Sequence, residues 1–186
     1  NKGNNELILV AEMPTNLKLW DDVHPNLYEL EITIRDKNKT LDSFKEEIGF
    51  REISTSKSKI LVNGKPVFLR GNLDCVHFPL TGYPSCDPTE WERIFKIYKD
   101  YGLNHVRFHS WCPPKAAFTA ADRLGLYIQA EVIWLDWWMA IKTEGREEMW
   151  TKGLPDGLGK NPSADEYSQK ELKRMLDVYG NHASFA

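Results

Sequence analysis

GLNHVRFHSWCPPKAAFTAADRLGLYIQAE, residues 102–131, reads as a strand, a short helix and a second strand. Side chains alternate along a strand, so Val106 and Phe108 point one way while His105, Arg107 and His109 point the other. Trp111 follows just past the strand end. A strand of a parallel sheet is covered on both faces and should be nearly all apolar. Here one face carries an arginine and two histidines, and burying such groups without partners is costly. A functional site accounts for them; a structural ion network that satisfies itself is the plainer alternative.

The neighbouring segments repeat the pattern. In VFLRGNLD, residues 67–74, Leu69, Gly71 and Leu73 share one face, and Arg70, Asn72 and Asp74 the other. In LYIQAE, residues 126–131, Leu126, Ile128 and Ala130 oppose Tyr127, Gln129 and Glu131. Three strands separated by helical patterns, each with one polar face, match the interior of a parallel α/β barrel near its C-terminal mouth, where active sites of such barrels lie.

Composition bounds the partners. The chain has 186 residues, 41% hydrophobic and 12% aromatic, enough for a real core, and a formal net charge of −3. That balance argues against nucleic acid and anionic membranes, which favour clustered Lys and Arg. The lysines at 57, 59 and 65 straddle a turn and read as a solvated face. No apolar run reaches the length that spans a bilayer. The opening residues lack the basic start and apolar stretch of a signal peptide. Cys75, Cys86 and Cys112 are an odd number without CxxC or Cys/His ligand spacing, so no metal or other cofactor is indicated. They read first as small buried hydrophobes, with Cys75 and Cys112 both following strand ends.

Residues 1–66 read as all-β. ELILVAEMP (6–14), NLYELEITIRD (26–36) and SFKEEIGFREI (43–53) alternate in the strand manner, and Trp20 marks the bend into a strand. In KILVNGKPVFL (59–69), Asn63-Gly64 predicts a tight hairpin. Asp87-Pro88-Thr89-Glu90 predicts a helix start, followed by an inward face of Trp91, Ile94, Phe95, Tyr98 and Tyr101 and a stop at Gly102. Pro113 or Pro114 starts a second helix, with Ala117, Ala121 and Leu124 on one side and Gly125 at its end. Ser163-Ala164-Asp165-Glu166 predicts a cap for a third, running through Leu172, Met175, Leu176 and Tyr179 to Gly180. The long stretch 132–162 holds Trp134, Trp137, Trp138 and Trp150; loops of that length are usually functional.

RGNLDCVHFPLTG (70–82), NHVRFHSWCPP (104–114) and AADRLGLYIQAE (120–131) together resemble the opening half of the catalytic barrel of glycoside hydrolase family 2, which includes β-galactosidases, β-glucuronidases and β-mannosidases. Asn104, Arg107, Pro113, Asp122 and the run 125–128 match the family pattern, whereas residues 108–112 depart from it in type and by one extra residue. LWDDVHPNLYELEITIRD (19–36) and EEIGFREI (46–53) resemble the last strands of the immunoglobulin-like domain that precedes the barrel. The implied fold is the N-terminal half of a (β/α)8 TIM barrel, residues 57–186, preceded by part of an immunoglobulin-like β-sandwich, residues 1–56. An immunoglobulin-like sandwich needs about seven strands and only about four fit here.

The resemblance implies a retaining exo-β-glycosidase acting on terminal β-linked sugars, with a carbohydrate as its partner. The family's acid/base and nucleophile glutamates fall beyond Ala186, so no catalytic carboxylate is expected in this chain. Asp74 and Glu131 are expected as supporting residues, accepting hydrogen bonds from sugar hydroxyls or from Arg107. Arg107 would hold and charge-stabilise the nucleophile, and His77 and His109 (or Ser110 in place of the latter) would touch the sugar. Trp111 and one of Trp134, Trp137 and Trp138 would stack on a sugar ring. His24 and His182 are expected as ordinary core residues. A half-barrel has open edges, so the isolated chain is expected to self-associate. The competing expectation is a non-catalytic carbohydrate-binding or structural fragment.

Overall fold

A computed structural model describes residue 3, residues 7–133, residue 159 and residues 161–186 of the chain. Strands β1 (Tyr28–Asp36) and β2 (Lys39–Ile48) form an antiparallel hairpin in which Ile32 faces Phe44, with a register shift at Ile34/Arg35. Strands β3 (Ile53–Ser56), β4 (Lys59–Val62) and β5 (Lys65–Pro66) form a second antiparallel sheet. Asn63 and Gly64 both have positive φ, 52° and 73°, as a two-residue type I′ hairpin demands.

The expected strand SFKEEIGFREI is instead cut in two. Gly49 is the break: a Cβ there would lie 2.7 Å from the Ala183 side chain. Beyond it the chain leaves the hairpin, Trp20 donates its amide to the Phe50 carbonyl at 2.8 Å, and the Arg51 guanidinium donates to the carbonyls of Ala183 and Phe185. Residues 7–14 form no strand and are exposed. Alternation gave them the right pattern, but a strand also needs a neighbour to take its backbone hydrogen bonds.

Strands β6 (Gly71–Asp74), β7 (His105–Phe108) and β8 (Tyr127–Ala130) form a parallel sheet in that order. Helix α1 (Pro88–Asp100) links the first pair and α2 (Lys115–Leu124) the second. Asp87 caps α1 by accepting from the Thr89 amide, with Pro88 in the first turn. Trp91 and Phe95 are buried, whereas Tyr101 falls past the last turn and is exposed, contrary to expectation. Helix α2 buries alanines on several sides and ends at Gly125, φ 71°, where a Cβ would also meet the Asp22 carbonyl at 2.7 Å.

Helix α3 (Pro162–Tyr179) is capped by Asn161, two residues before the expected Ser163. The asparagine oxygen accepts from the Ser163 and Ala164 amides, and Pro162 fits the first position because it has no N–H to satisfy. Met175 and Tyr179 are buried and Tyr179 stacks on Phe118 at 4.5 Å, but Leu172 and Leu176 are exposed. The last residues run beside β8: Ile128 donates to Ser184 O at 2.7 Å and Ala186 to Ile128 O at 2.9 Å, a parallel bridge.

Two cores result. One packs Trp91, Phe95, Val106, Phe108, Phe118 and Ile128 between sheet and helices. The other joins Trp20, Val62, Tyr127 and Ala183, so it draws on both ends of the sequence. Trp20 is fully buried and its indole N–H donates to Asp122 O at 2.8 Å. His182 is buried as expected, 2.6 Å from Asp122, while His24 is an exposed surface residue rather than a core one.

The polar-face pattern holds for β7 and β8 and fails for β6. His105 pairs with Tyr127 and Arg107 with Gln129, so these share a face. Gly71 pairs with His105 and Leu73 with Arg107. The inward residues of β6 are therefore Gly71 and Leu73, and Asn72 and Asp74 lie on the helix side with Val106 and Phe108. Asn72 there donates to the Tyr98 hydroxyl of α1 at 2.8 Å. The reason is His105: its ring lies over Gly71, where a Cβ would approach Nδ1 to 2.3 Å. Gly71→Ala is expected to destabilise the fold by about 1–3 kcal/mol, read from urea unfolding. Combining it with His105→Ala should recover part of that loss, because the two sites are in contact.

Candidate active site

The carboxyl ends of β7 and β8 bring three of the expected residues together. Glu131, just beyond β8, accepts from Arg107 Nε with one carboxylate oxygen. Its other oxygen accepts from the Ser110 amide at 2.7 Å and lies 3.2 Å from His109 Nδ1. The Glu131 amide in turn donates to Trp111 O at 3.2 Å, closing the turn after β7 onto the end of β8. Ser110 makes this possible by adopting φ 64°, a left-handed conformation unusual outside glycine. Such strain persists only where the surroundings enforce it, and here the Glu131 carboxylate holds the strained amide.

Burial works against the charge on Glu131, but the Ser110 amide, the Arg107 guanidinium and the His109 ring outweigh it and hold the carboxyl below its ordinary value. Below this cluster on the same face, burial lowers the pKa of His105, Arg107 adds to the effect, and Gln129 opposes it. Burial and the neighbouring arginine thus both disfavour the charged form of His105.

The other candidates lie elsewhere. Asp74 is on the helix side of β6; its carboxylate accepts from the Val76 amide at 2.9 Å and its carbonyl from the His109 amide at 2.8 Å. It lines a cleft of about 950 Å³ between the β6–α1 segment and α1, together with His77, Phe78, Tyr83, Trp91 and Tyr98. His77 is exposed on that cleft. Trp111 is not an open platform: it sits edge-to-face with Phe108 at 5.1 Å and Phe78 at 5.9 Å, and its indole N–H is enclosed. Trp137, with Trp134 and Trp138, lies outside the described residues. Cys75 and Cys86 are exposed rather than buried, and all three thiols are free. Burial pushes the Cys112 thiol up to about 11, so it stays protonated and a poor nucleophile. Among the described residues no cluster of His, Cys, Asp and Glu is arranged to hold a metal ion.

Ser110 as an amide donor was not legible in sequence, because serine carries no signature for positive φ. The lowered Glu131 pKa sets a sign for acid stability. A carboxyl that ionises more readily when folded contributes fully above the ordinary glutamate value of about 4.3 and loses that contribution as pH falls through the folded value. Glu131→Gln is expected to flatten the fall in urea midpoint below about pH 4 relative to the unaltered chain.

Residues 2–51 match the family described as glycosyl hydrolases family 2. A candidate β-glucuronidase of Formosa agariphila is 32% identical over 120 residues, 64% of this chain and 14% of that protein. A β-galactosidase of Lactococcus lactis is 31% identical over 170 residues, 91% of this chain and 16% of that protein. Among solved structures, a β-glucuronidase from Ruminococcus gnavus in complex with uronic isofagomine superposes with a TM-score of 0.75 at 26% identity, covering 91% of this chain and 28% of that one. The chain thus spans about a seventh of the length of these curated relatives. The matching residues run from the N-terminal strands through the parallel sheet and its arginine–glutamate cluster, and on them the chain belongs to glycoside hydrolase family 2.

Proposed function

We propose that this chain is part of a retaining exo-β-glycosidase, with residues 57–186 forming the first part of a (β/α)8 barrel and residues 1–56 the end of an immunoglobulin-like domain. The observation that carries the reading is the Arg107–Glu131–His109 cluster at the carboxyl ends of adjacent parallel strands, where barrel enzymes keep their chemistry. Retaining hydrolysis needs two carboxyl groups about 5 Å apart, one as nucleophile and one as acid/base. Glu131 is a poor choice for either, because both its oxygens are engaged by protein donors. In this reading the reacting carboxylates come from the remainder of a longer protein. Arg107 meets the nucleophile through its terminal nitrogens, its Nε being committed to Glu131, and keeps it ionised. His109 contacts the sugar.

The full-length protein is expected to hydrolyse at least one member of a panel of aryl β-glycosides, and the 186-residue chain none. Hydrolysis by the short chain would move the chemistry to Asp74 and Glu131; no hydrolysis by either would favour a carbohydrate-binding role. In the full-length enzyme, Arg107→Ala should lower kcat by about 10²-fold or more with a smaller effect on KM, since its charge acts on the transition state.

The same reading bears on assembly. Strand β6 has no partner on its outer side among the described residues, and Leu73, Leu80, Leu172 and Leu176 are exposed. Open strand edges recruit other chains. The isolated chain is expected to scatter light as a dimer or larger species, and a clean monomer over a wide concentration range would contradict this.

A further inference from the structure

We infer that Arg51 is a positioning residue: its guanidinium takes the outer edge of residues 182–186, fixes them as a strand beside β8, and so couples the segment after the β1–β2 hairpin to the register of the sheet that carries the site. The docking stands on geometry alone, while its bearing on catalysis rests on the glycosidase reading. The backbone of residues 182–186 is accounted for almost group by group. Toward β8, the Ser184 carbonyl accepts from the Ile128 amide at 2.7 Å and the Ala186 amide donates to the Ile128 carbonyl at 2.9 Å, a parallel pattern. Carbonyls alternate between the two edges of an extended chain, so those of Ala183 and Phe185 serve the edge away from β8. Both accept from Arg51, one from Nε and the other from a terminal nitrogen. A planar fork of donors on one side chain thus stands where two amides of a further strand would.

The inner side of the same segment is held by Asp122 of α2. The Ser184 amide donates to Asp122 Oδ1 at 2.7 Å, and Oδ2 lies 2.6 Å from His182 Nδ1. Ser184, Ala183 and Asp122 are all buried, so a slip of one residue would strand several polar groups at once. Arg51 is itself fixed from both sides. The Phe50 carbonyl accepts from the Trp20 amide at 2.8 Å. The Glu52 amide donates to Asn63 Oδ1 at 3.0 Å, and its carbonyl accepts from the Asn63 amide at 2.9 Å. Burial lowers the pKa of the Arg51 guanidinium, and the Asp122 carboxylate opposes that shift. The register so set reaches the site. Phe185 bridges Ile128 of β8 in parallel, so a strand continued from it runs alongside Glu131 and its cluster. In the glycosidase reading that strand belongs to the remainder of the barrel, and an arginine from outside the barrel sets its register.

The test has two readouts. In the 186-residue chain, amide hydrogen exchange followed by NMR is expected to show the Ser184 and Ile128 amides exchanging at least about 100-fold more slowly than unstructured amides. Exchange at the unstructured rate overturns the inference even if every Arg51 variant fails to fold. Arg51→Lys keeps the charge but replaces the fork by a single nitrogen. It is expected to speed exchange at both amides by about tenfold or more while the amides of α1 keep their rates. An unchanged pattern in Arg51→Lys overturns the inference, because the positive charge alone would then suffice. In the full-length enzyme, Arg51→Lys is expected to lower kcat about tenfold or more, with KM changed by less than about threefold, as misplacement of reacting groups does. An unchanged kcat, with or without a rise in KM, overturns the positioning role. If the full-length protein hydrolyses no glycoside, the glycosidase reading fails, and the exchange measurement still decides whether Arg51 docks residues 182–186.

Discussion

One buried side chain sets the register on which the site depends. Asn104, at the start of β7, is 1% exposed and uses every polar group it has. Its side-chain oxygen accepts from the Arg70 amide at 2.8 Å, and its NH₂ donates to Asp22 at 2.8 Å and to Phe68 O at 3.2 Å. Its backbone donates to Arg70 O and accepts from the Tyr127 amide. The segments leading into β6, β7 and β8, and the segment around Asp22, are therefore tied at a single residue. An unsatisfied buried amide is costly, so any slip of one strand against the next carries that cost several times over. Asp22 reinforces the tie by also accepting from the Tyr127 hydroxyl, while its carbonyl takes Lys99 Nζ.

From that register the upper face follows. With β7 and β8 paired as they are, Arg107 lies beside Gln129, and the next inward position on each strand brings His109 to Glu131. With β6 paired to β7, His105 lies over Gly71, and only a residue without a Cβ fits beneath it. The cluster at the carboxyl ends thus depends on hydrogen bonds made at the amino ends, some four residues away along each strand. This separates the contacts that hold the sheet from the polar cluster it carries at its carboxyl ends. The N-terminal segment belongs to the first group: Trp20 enters the core with Tyr127 and Ala183, and Lys115 and Arg123 of α2 meet Glu46 and Glu47 of the hairpin at 2.8 Å. Those surface pairs contribute little individually; the buried indole contributes more.

Electrostatics explains why the cluster is stable although it gathers charges at a partly buried place. A lone arginine on the inner face would require desolvation without return. Paired with Glu131, which also receives a backbone amide and an imidazole N–H, it forms a set in which each charge meets complementary donors or acceptors. The carboxylate takes three donors, and the arginine reaches it through Nε, with no hydrogen bond at its terminal nitrogens among the described residues. An arginine held by one edge, with the other edge available, is suited to orienting a second carboxylate.

The sequence by itself determined most of the element types and which polar groups of β7 and β8 share a face. The alternation at residues 105–109, the Asp87-Pro88 helix start, the Asn63-Gly64 hairpin and the glycine stop at 125 are local signals, each encoded within a few residues. The same alternation marked Arg107, His109 and Glu131 as inward groups, because period-two patterning needs no partner strand to be read. Tertiary structure alone decided the rest. Which face of β6 looks inward depends on its pairing with β7, and pairing is a relation between segments more than thirty residues apart. Residues 7–14 alternate like a strand and form none, having no strand neighbour among the described residues. Asp74 and Trp111, placed at the site by position along the chain, are turned toward the helix-side cleft and the aromatic core. Ser110 became the pivot because a carboxylate from another strand holds its amide. Local sequence specifies conformation and polarity, but direction comes from packing, since only a neighbour can tell a strand which of its two faces is inside.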